Sequence, residues 1–451
     1  MRVLFRTFGC KANQYDTERM RQELEAMGSR TVASVGETQL CVVNTCTVTN
    51  QADADARRFI RRVRRENPEI QVLVAGCSSA LNPQTYREMD GVVAVVEGHD
   101  PVEVARAAMG SPEGVGCHPS GSGAAVSTLI PLKSNVALDL MHREPVGGEL
   151  LRRRAGGTRG WLKIQDGCDR KCSFCATRLA RGASRSRQPE ELAAEAALLS
   201  QNHPELVLTG IHIGHYGIDL RDGLTLSSLV ASLLEEVPDV RFRLGSVEAT
   251  EVDALLLELM ETSGGRLAPH LHMPMQSGSD AVLGDMRRWH TRGMYRERTL
   301  EIVERFPVLG LGADVISGFP GESTGDHDLT RALVEELPFT YLHVFPFSPR
   351  KGTSAEALPG PVPQRVAGER ARELRELALE KGRSYRSGRS GQMAEVVLEG
   401  EGGWALTEDY LRVRADPGQI PEGDRPPRLY RGRLQGEGEH LYIDLSQDPL
   451  N

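Results

Sequence analysis

Short apolar runs alternate with longer amphipathic stretches along most of this chain, and that alternation predicts an α/β protein. Near the N-terminus the strands are expected at Val3 to Phe8, Cys41 to Thr45, Val72 to Ala75 and Val92 to Val96. A first helix is expected from an Asp16 cap to Gly28, with Met20, Leu24 and Met27 on one face, and Asn67-Pro68 should stop the second. Residues 1–110 therefore read as a doubly wound α/β domain. From 111 to 158 periodicity is lost and Gly, Ser and Pro accumulate, which reads as a linker or irregular excursion.

The alternation resumes at Trp161. Strands are expected near Trp161 to Gln165, Glu205 to Thr209, Val240 to Leu244, Leu271 to Pro274, Gly312 to Ile316 and Tyr341 to Phe345, with helical stretches between them. Six such units with right-handed crossovers can roll into a partial (β/α)6 barrel over residues 159–383, with its chemistry at the strands' C-terminal ends. A helix is expected from Pro363 to Arg383. Residues 384–451 show short β-like segments, Met393 to Leu398, Tyr410 to Val413 and Leu441 to Leu445, parted by Gly-rich turns, so a small β-barrel is expected there.

Composition narrows the function. The chain has 451 residues, 39% hydrophobic and 26% charged, and no apolar run nears the roughly 18 residues of a membrane span. With no signal-peptide core near Met1, a cytoplasmic protein without membrane partners is expected, and its thiols should stay reduced. A net charge of -8 argues against nonspecific coating of nucleic acid. Arginine is nonetheless clustered: Arg57, Arg58, Arg61, Arg62, Arg64 and Arg65 crowd one helix, Arg152 to Arg154 form a run, and Arg178, Arg181, Arg185 and Arg187 follow a cysteine triplet. Each run is a solvated face or a local hold on a phosphate backbone.

Eight cysteines in a reducing compartment point to metal or catalysis. Cys168, Cys172 and Cys175 form a C-x3-C-x2-C triplet directly after a predicted strand. Three thiolates on one loop can hold three corners of a four-iron cluster and leave one iron open to a small ligand. Zinc competes, but structural zinc takes four ligands, usually as two close pairs, and the nearest downstream His is His203. Cys10, Cys46 and Cys77 are dispersed, yet each falls at or just past the C-terminal end of a predicted parallel strand, the edge where open α/β sheets bind ligands. They would hold a second cluster or be three buried thiols. Cys41, at a strand start, belongs to the core, and Cys117 stays unassigned.

The triplet, with Phe174 before its last cysteine, resembles the radical-SAM superfamily, whose members cleave S-adenosylmethionine (SAM) at such a cluster. Phe8-Gly9-Cys10 through Glu18, Asn44-Thr45-Cys46 through Asn50, and Ala75-Gly76-Cys77 resemble the N-terminal domain of the methylthiotransferases. Ala180 to Gly182, His272 to Ser279, Asp314 to Glu322 and Val344 to Arg350 agree, and the tail resembles the family's RNA-binding TRAM barrel. Ala176 to Leu179 departs from the family's usual apolar residues and Pro-Tyr pair.

Within the family, Cys10-Lys11-x-Asn13-Gln14-Tyr15-Asp16 and Thr45 to Asn50 are most similar to the branch acting on N6-threonylcarbamoyladenosine beside the tRNA anticodon; the isopentenyladenosine and ribosomal-protein branches are the alternatives. A non-catalytic iron-sulfur RNA-binding or sensor protein is the alternative from another class. The resemblance implies two 4Fe-4S clusters, one on Cys168, Cys172 and Cys175 that cleaves SAM and one on Cys10, Cys46 and Cys77 that delivers sulfur. It also implies a tRNA anticodon stem-loop as substrate, with an electron donor and a sulfur source as partners. Phe174, Gly210, Ser246, Glu248 and Gln276 are candidate SAM contacts, and Arg181, Arg185 and Arg187 candidate RNA contacts. His272 and His343 fall within predicted strands and read as barrel histidines.

Overall fold

The computed structural model describes residues 1–110, 149–220, 223–400, 402–415 and 428–450; Cys117 and most of the expected excursion lie outside them. The chain divides into two compact units, one of residues 1–151 with 166–170 and 175–185, the other of 152–165, 171–174 and 186–451.

In the N-terminal unit the strands β1 (Arg2–Thr7), β2 (Arg30–Thr31), β3 (Leu40–Thr45), β4 (Gln71–Gly76) and β5 (Val92–Val95) form one parallel sheet in the order β2-β1-β3-β4-β5. Side chains alternate across it. Val42 and Leu73 join Val3, Met20, Leu24 and Val104 on one face, while Cys41, Val43 and Val74 join Ile60, Val63 and Tyr86 on the other. Helices α1 (Lys11–Ala26), α2 (Asn50–Glu66), α3 (Cys77–Leu81), α4 (Pro83–Arg87) and α5 (Pro101–Ala108) follow these strands. Cys41 is a core residue, as its place in the strand implied. Because the sheet order reverses between β1 and β3, the edge past their C-terminal ends is where a doubly wound sheet opens a crevice.

Helix α1 begins five residues before the expected Asp16 cap, with Cys10 as its N-cap. Asn13 and Thr17 look unfavourable inside a helix, since such side chains usually compete for backbone bonds. Neither breaks the helix here, since one side chain is engaged by a strand and the other bonds back one turn. The Asn13 amide donates to the Thr45 carbonyl at 2.8 Å and Thr17 Oγ1 donates to the Asn13 carbonyl at 3.0 Å. Met27, expected on the buried face, is the exposed C-cap.

The second unit carries β6 (Gly160–Lys163), β7 (Glu205–Thr209), β8 (Arg241–Leu244), β9 (His270–His272), β10 (Gly310–Ser317) and β11 (Tyr341–Pro346). They pair in parallel as β6-β7-β8 and β9-β10-β11, and the bridge between Ser246 and His272 joins the two sets into one six-stranded partial barrel. A long helix, Gln364–Arg389, runs past the expected end at Arg383 into β12 (Met393–Glu399). With β13 (Trp404–Thr407), β14 (Arg412–Ala415), β15 (Leu429–Gln435) and β16 (Tyr442–Leu450) it closes a five-stranded barrel around Val396, Val413, Leu434 and Ile443. Buried Glu205 on β7 receives Arg241 Nε and Arg243 Nε, both at 2.8 Å, and the same arginines donate to the Glu395, Thr407 and Glu408 carbonyls of the small barrel. Among the described residues no helix is long and apolar enough to cross a membrane.

Candidate metal and cofactor site

Cys10, Cys46 and Cys77 follow β1, β3 and β4, and the fold gathers them around Asn13 at the crevice edge. Asn13 Oδ1 lies 3.4 Å from Cys10 Sγ and 3.9 Å from Cys77 Sγ. Two glycines permit the approach. Gly9 has φ +123° and a Cβ there would fall 3.0 Å from Cys46 Sγ; Gly76 has φ +103° and a Cβ would strike Asn44 Oδ1 at 2.2 Å. The Cys46 thiol is pushed up to about 12, first by burial and then by the neighbouring Cys77 and Cys10, although the Val48 amide opposes this. Burial likewise raises Cys77, with Arg181 pulling it back. Three thiols held near one another, two of them buried, suit soft metal ligation, because a bound iron can replace the protons that burial otherwise retains.

The Cys168 to Cys175 loop follows β6. The Cys168 amide donates to the Gly182 carbonyl at 3.1 Å, and the Ser173 amide donates to the Met286 carbonyl at 3.0 Å. Arg288 Nη1 reaches Cys172 Sγ at 3.6 Å and its Nη2 pairs with Glu248 at 2.5 Å. Burial raises the Glu248 carboxyl from its ordinary range, against the pull of Arg288. All six cysteines are free.

The remaining candidates are placed less uniformly. Phe174 packs beside Val282, Met286 and Phe319, a hydrophobic anchor for the loop. At Gly210 a Cβ would fall 2.8 Å from the Gln165 carbonyl, so close backbone packing already requires that glycine. Gln165 Oε1 accepts the Ile211 and His212 amides at 3.1 and 2.9 Å, which fixes the turn after β7. Ser246 Oγ lies 2.9 Å from His272 Nδ1, and Glu248 is committed to Arg288. Gln276 adopts φ +64° while its backbone pairs with Asp314 and Ile316, a strained position just past β9. His272 is buried and 3.4 Å from Asp314, whereas His343 is more than half exposed.

Two expected RNA contacts are corrected. Arg181 is 1% exposed and lies among Asp16, Asp166, Asn13 and Cys77; Arg187 is 2% exposed and forms a paired contact with Glu195 at 3.1 and 3.0 Å. A guanidinium so enclosed offers nothing to a phosphate. Arg185 is partly buried and donates to the Arg181 carbonyl at 3.3 Å. Clustering on α2 is different: Arg58, Arg61, Arg62 and Arg65 are exposed and, with Arg6, line an open groove over Phe8 and Phe59. Sequence reasoning missed Asp166, His99 and Arg288. Asp166 alone carried a local signal, as a carboxylate two residues ahead of the first triplet cysteine.

Residues 2–98 match the Uncharacterized protein family UPF0004 and residues 162–333 the Radical SAM superfamily. A threonylcarbamoyladenosine tRNA methylthiotransferase of Rickettsia prowazekii is 33% identical over 412 residues, spanning 91% of this chain and 90% of its own. One from Aquifex aeolicus is 32% identical over 428 residues, spanning 92% of this chain and 97% of its own. A tRNA-2-methylthio-N(6)-dimethylallyladenosine synthase of Bacillus subtilis is 30% identical over 403 residues, spanning 88% and 75%. Among solved structures, the radical SAM methyltransferase TsrM of Kitasatospora setae, with cobalamin and a 4Fe-4S cluster bound, superposes with a TM-score of 0.55 at 14% identity, over 78% of this chain and 76% of its own. That likeness is one of fold.

Proposed function

Because the chain belongs to the radical-SAM tRNA methylthiotransferase family, we propose that it inserts a methylthio group at carbon 2 of N6-threonylcarbamoyladenosine beside the tRNA anticodon. The observation that carries this reading is the gathering of three separated cysteines: Cys10 and Cys77 share the Asn13 amide oxygen, and Cys46 lies against Gly9 beside them. On this reading they hold one 4Fe-4S centre and Cys168, Cys172 and Cys175 hold another, each set supplying three thiolates. Bound together, these centres and SAM supply one-electron cleavage of SAM and a transferable sulfur, chemistry beyond any side chain.

The chain's own residues position and shield. Asn13 steadies the Cys10 and Cys77 sulfurs from a single helix turn. Arg288 does the same for Cys172 while compensating the buried Glu248. Gln165 sets the turn at Gly210, and Ser246 and Gln276 stand at the ends of neighbouring barrel strands where SAM would lie. A second SAM for the methyl group, an external electron donor and a sulfur source would complete the reaction. Residues 1–110 serve sulfur delivery, 159–383 SAM, and 384–451 the tRNA, in the cytoplasm.

The test is mass spectrometry of tRNA nucleosides from a strain lacking this gene. The expected result is loss of the methylthio mark from threonylcarbamoyladenosine alone. Loss from dimethylallyladenosine instead, or an unchanged nucleoside profile, overturns the proposal.

A further inference from the structure

Arg181 closes the short helix Thr177–Arg181, which belongs to the N-terminal unit together with Asp166 and all of β1 to β5. Every nitrogen of its guanidinium is used. Nε donates to Cys77 Sγ at 3.1 Å, Nη1 donates to both Asp166 oxygens at 2.9 and 3.0 Å, and Nη2 donates to Asn13 Oδ1 at 3.0 Å and Asp16 Oδ2 at 2.8 Å. Asp166 is held from its other side by His99 Nε2 at 2.8 Å. One rigid, planar cation thus ties a cysteine of the dispersed set to the carboxylate two residues ahead of Cys168, and it also grips the amide oxygen that Cys10 and Cys77 share.

We propose that Arg181 is a positioning residue that fixes Cys77 as an iron-sulfur ligand and raises the reduction potential of the centre that Cys10, Cys46 and Cys77 hold. This rests on the reading of those cysteines given above. Reduction adds negative charge to a centre, and an N–H donor on a ligand sulfur stabilises the added charge. The two carboxylates that compensate Arg181 sit on Nη1 and Nη2, while Nε faces the sulfur. The donor nearest the centre is therefore the one whose effect the carboxylates offset least.

The test uses full-length protein in which Cys168, Cys172 and Cys175 are replaced by Ala, reconstituted anaerobically so that one centre remains. Arg181→Gln in this background should lower the midpoint in an electron-paramagnetic redox titration by tenfold or more in the reduction equilibrium, about 59 mV for one electron. Arg181→Lys keeps the charge but not the fork, and should lower it less. Labelling arginine with nitrogen-15 reads the contact without a fold-sensitive substitution: hyperfine coupling to the reduced centre is expected in the parent and should vanish in Arg181→Lys. Iron retained with an unchanged midpoint in Arg181→Gln, or no coupling in the parent, overturns this proposal alone. A parent that binds no iron overturns the cysteine assignment and this proposal with it.

Discussion

Replacing Glu205 by Gln tests how the catalytic barrel and the small C-terminal barrel are joined. Glu205 and Arg243 are 0% exposed and Arg241 1%, and the carboxylate receives Arg241 Nε, Arg243 Nε and Arg243 Nη2, each at 2.8 Å, with Arg159 at 3.6 Å. Burial raises the Glu205 carboxyl, but Arg243 and Arg241 outweigh it and hold the group well below the usual carboxylate range. Neutralising it leaves two fully buried guanidinium groups without their counter-charge, a change that costs about 3–5 kcal/mol in comparable buried pairs. For a unit of this size that corresponds to a Tm lower by roughly 10 °C.

The pH dependence has a definite sign. A carboxylate with a depressed folded pKa contributes stability that is fully present above its unfolded value, about 4.3, and is lost as pH falls toward the folded value. The gap between Glu205→Gln and wild type should therefore be constant from about pH 8 to 5 and shrink below about 4.3. Calorimetric and urea unfolding read the gap, and limited proteolysis should clip residues 384–451 first. A loss under about 1 kcal/mol at neutral pH would refute the reasoning that this cluster carries the joint.

Other outcomes follow from the same geometry. Replacing Cys10, Cys46 and Cys77 together by Ala should roughly halve bound iron while reductive cleavage of SAM to 5′-deoxyadenosine persists; unchanged iron would mean that they are ordinary thiols. Removing the exposed Arg58, Arg61 and Arg62 should weaken tRNA binding and flatten its salt dependence, by about 0.7–0.9 in log-log slope for each lost phosphate contact, whereas an unaltered slope would assign the groove elsewhere. Burial, with Arg288 adding to it, holds the His290 imidazole down at about 4, so this group makes the fold progressively less stable as pH falls from about 6.5 toward 4. His290→Gln should flatten that stretch of the stability profile, and an equally steep profile would show that another group titrates there.

Much of the fold was legible because strand and helix periods differ. Glu205 to Thr209 was read with both bounds matching, and the six barrel strands and their order followed from alternation alone. Trp404–Thr407 and Leu429–Gln435 were missed, since four residues give too short a period and Gly432 interrupts the other. Six cysteines could be singled out as candidate ligands because spacing and strand ends mark them. Arg181 could not be placed because Asn13, Asp16 and Cys77 lie more than a hundred residues away, and Arg187, whose partner Glu195 is near in sequence, because composition gives no sign that the pair is buried. The early start of α1 was hidden for the same reason: the groups that satisfy Asn13 lie on β3, more than thirty residues away.

Two of the arginines that fasten the small barrel address main-chain oxygens: Arg243 donates to the Thr407 and Glu408 carbonyls, and Arg241 to that of Glu395. A peptide carbonyl is the same whatever residue bears it. That part of the mooring does not depend on which side chains β12 and β13 carry, so substitutions there leave it in place except at Glu399, whose carboxylate accepts Arg159 Nε at 2.8 Å. Sequence can thus drift at the other positions of those strands without loosening these bonds.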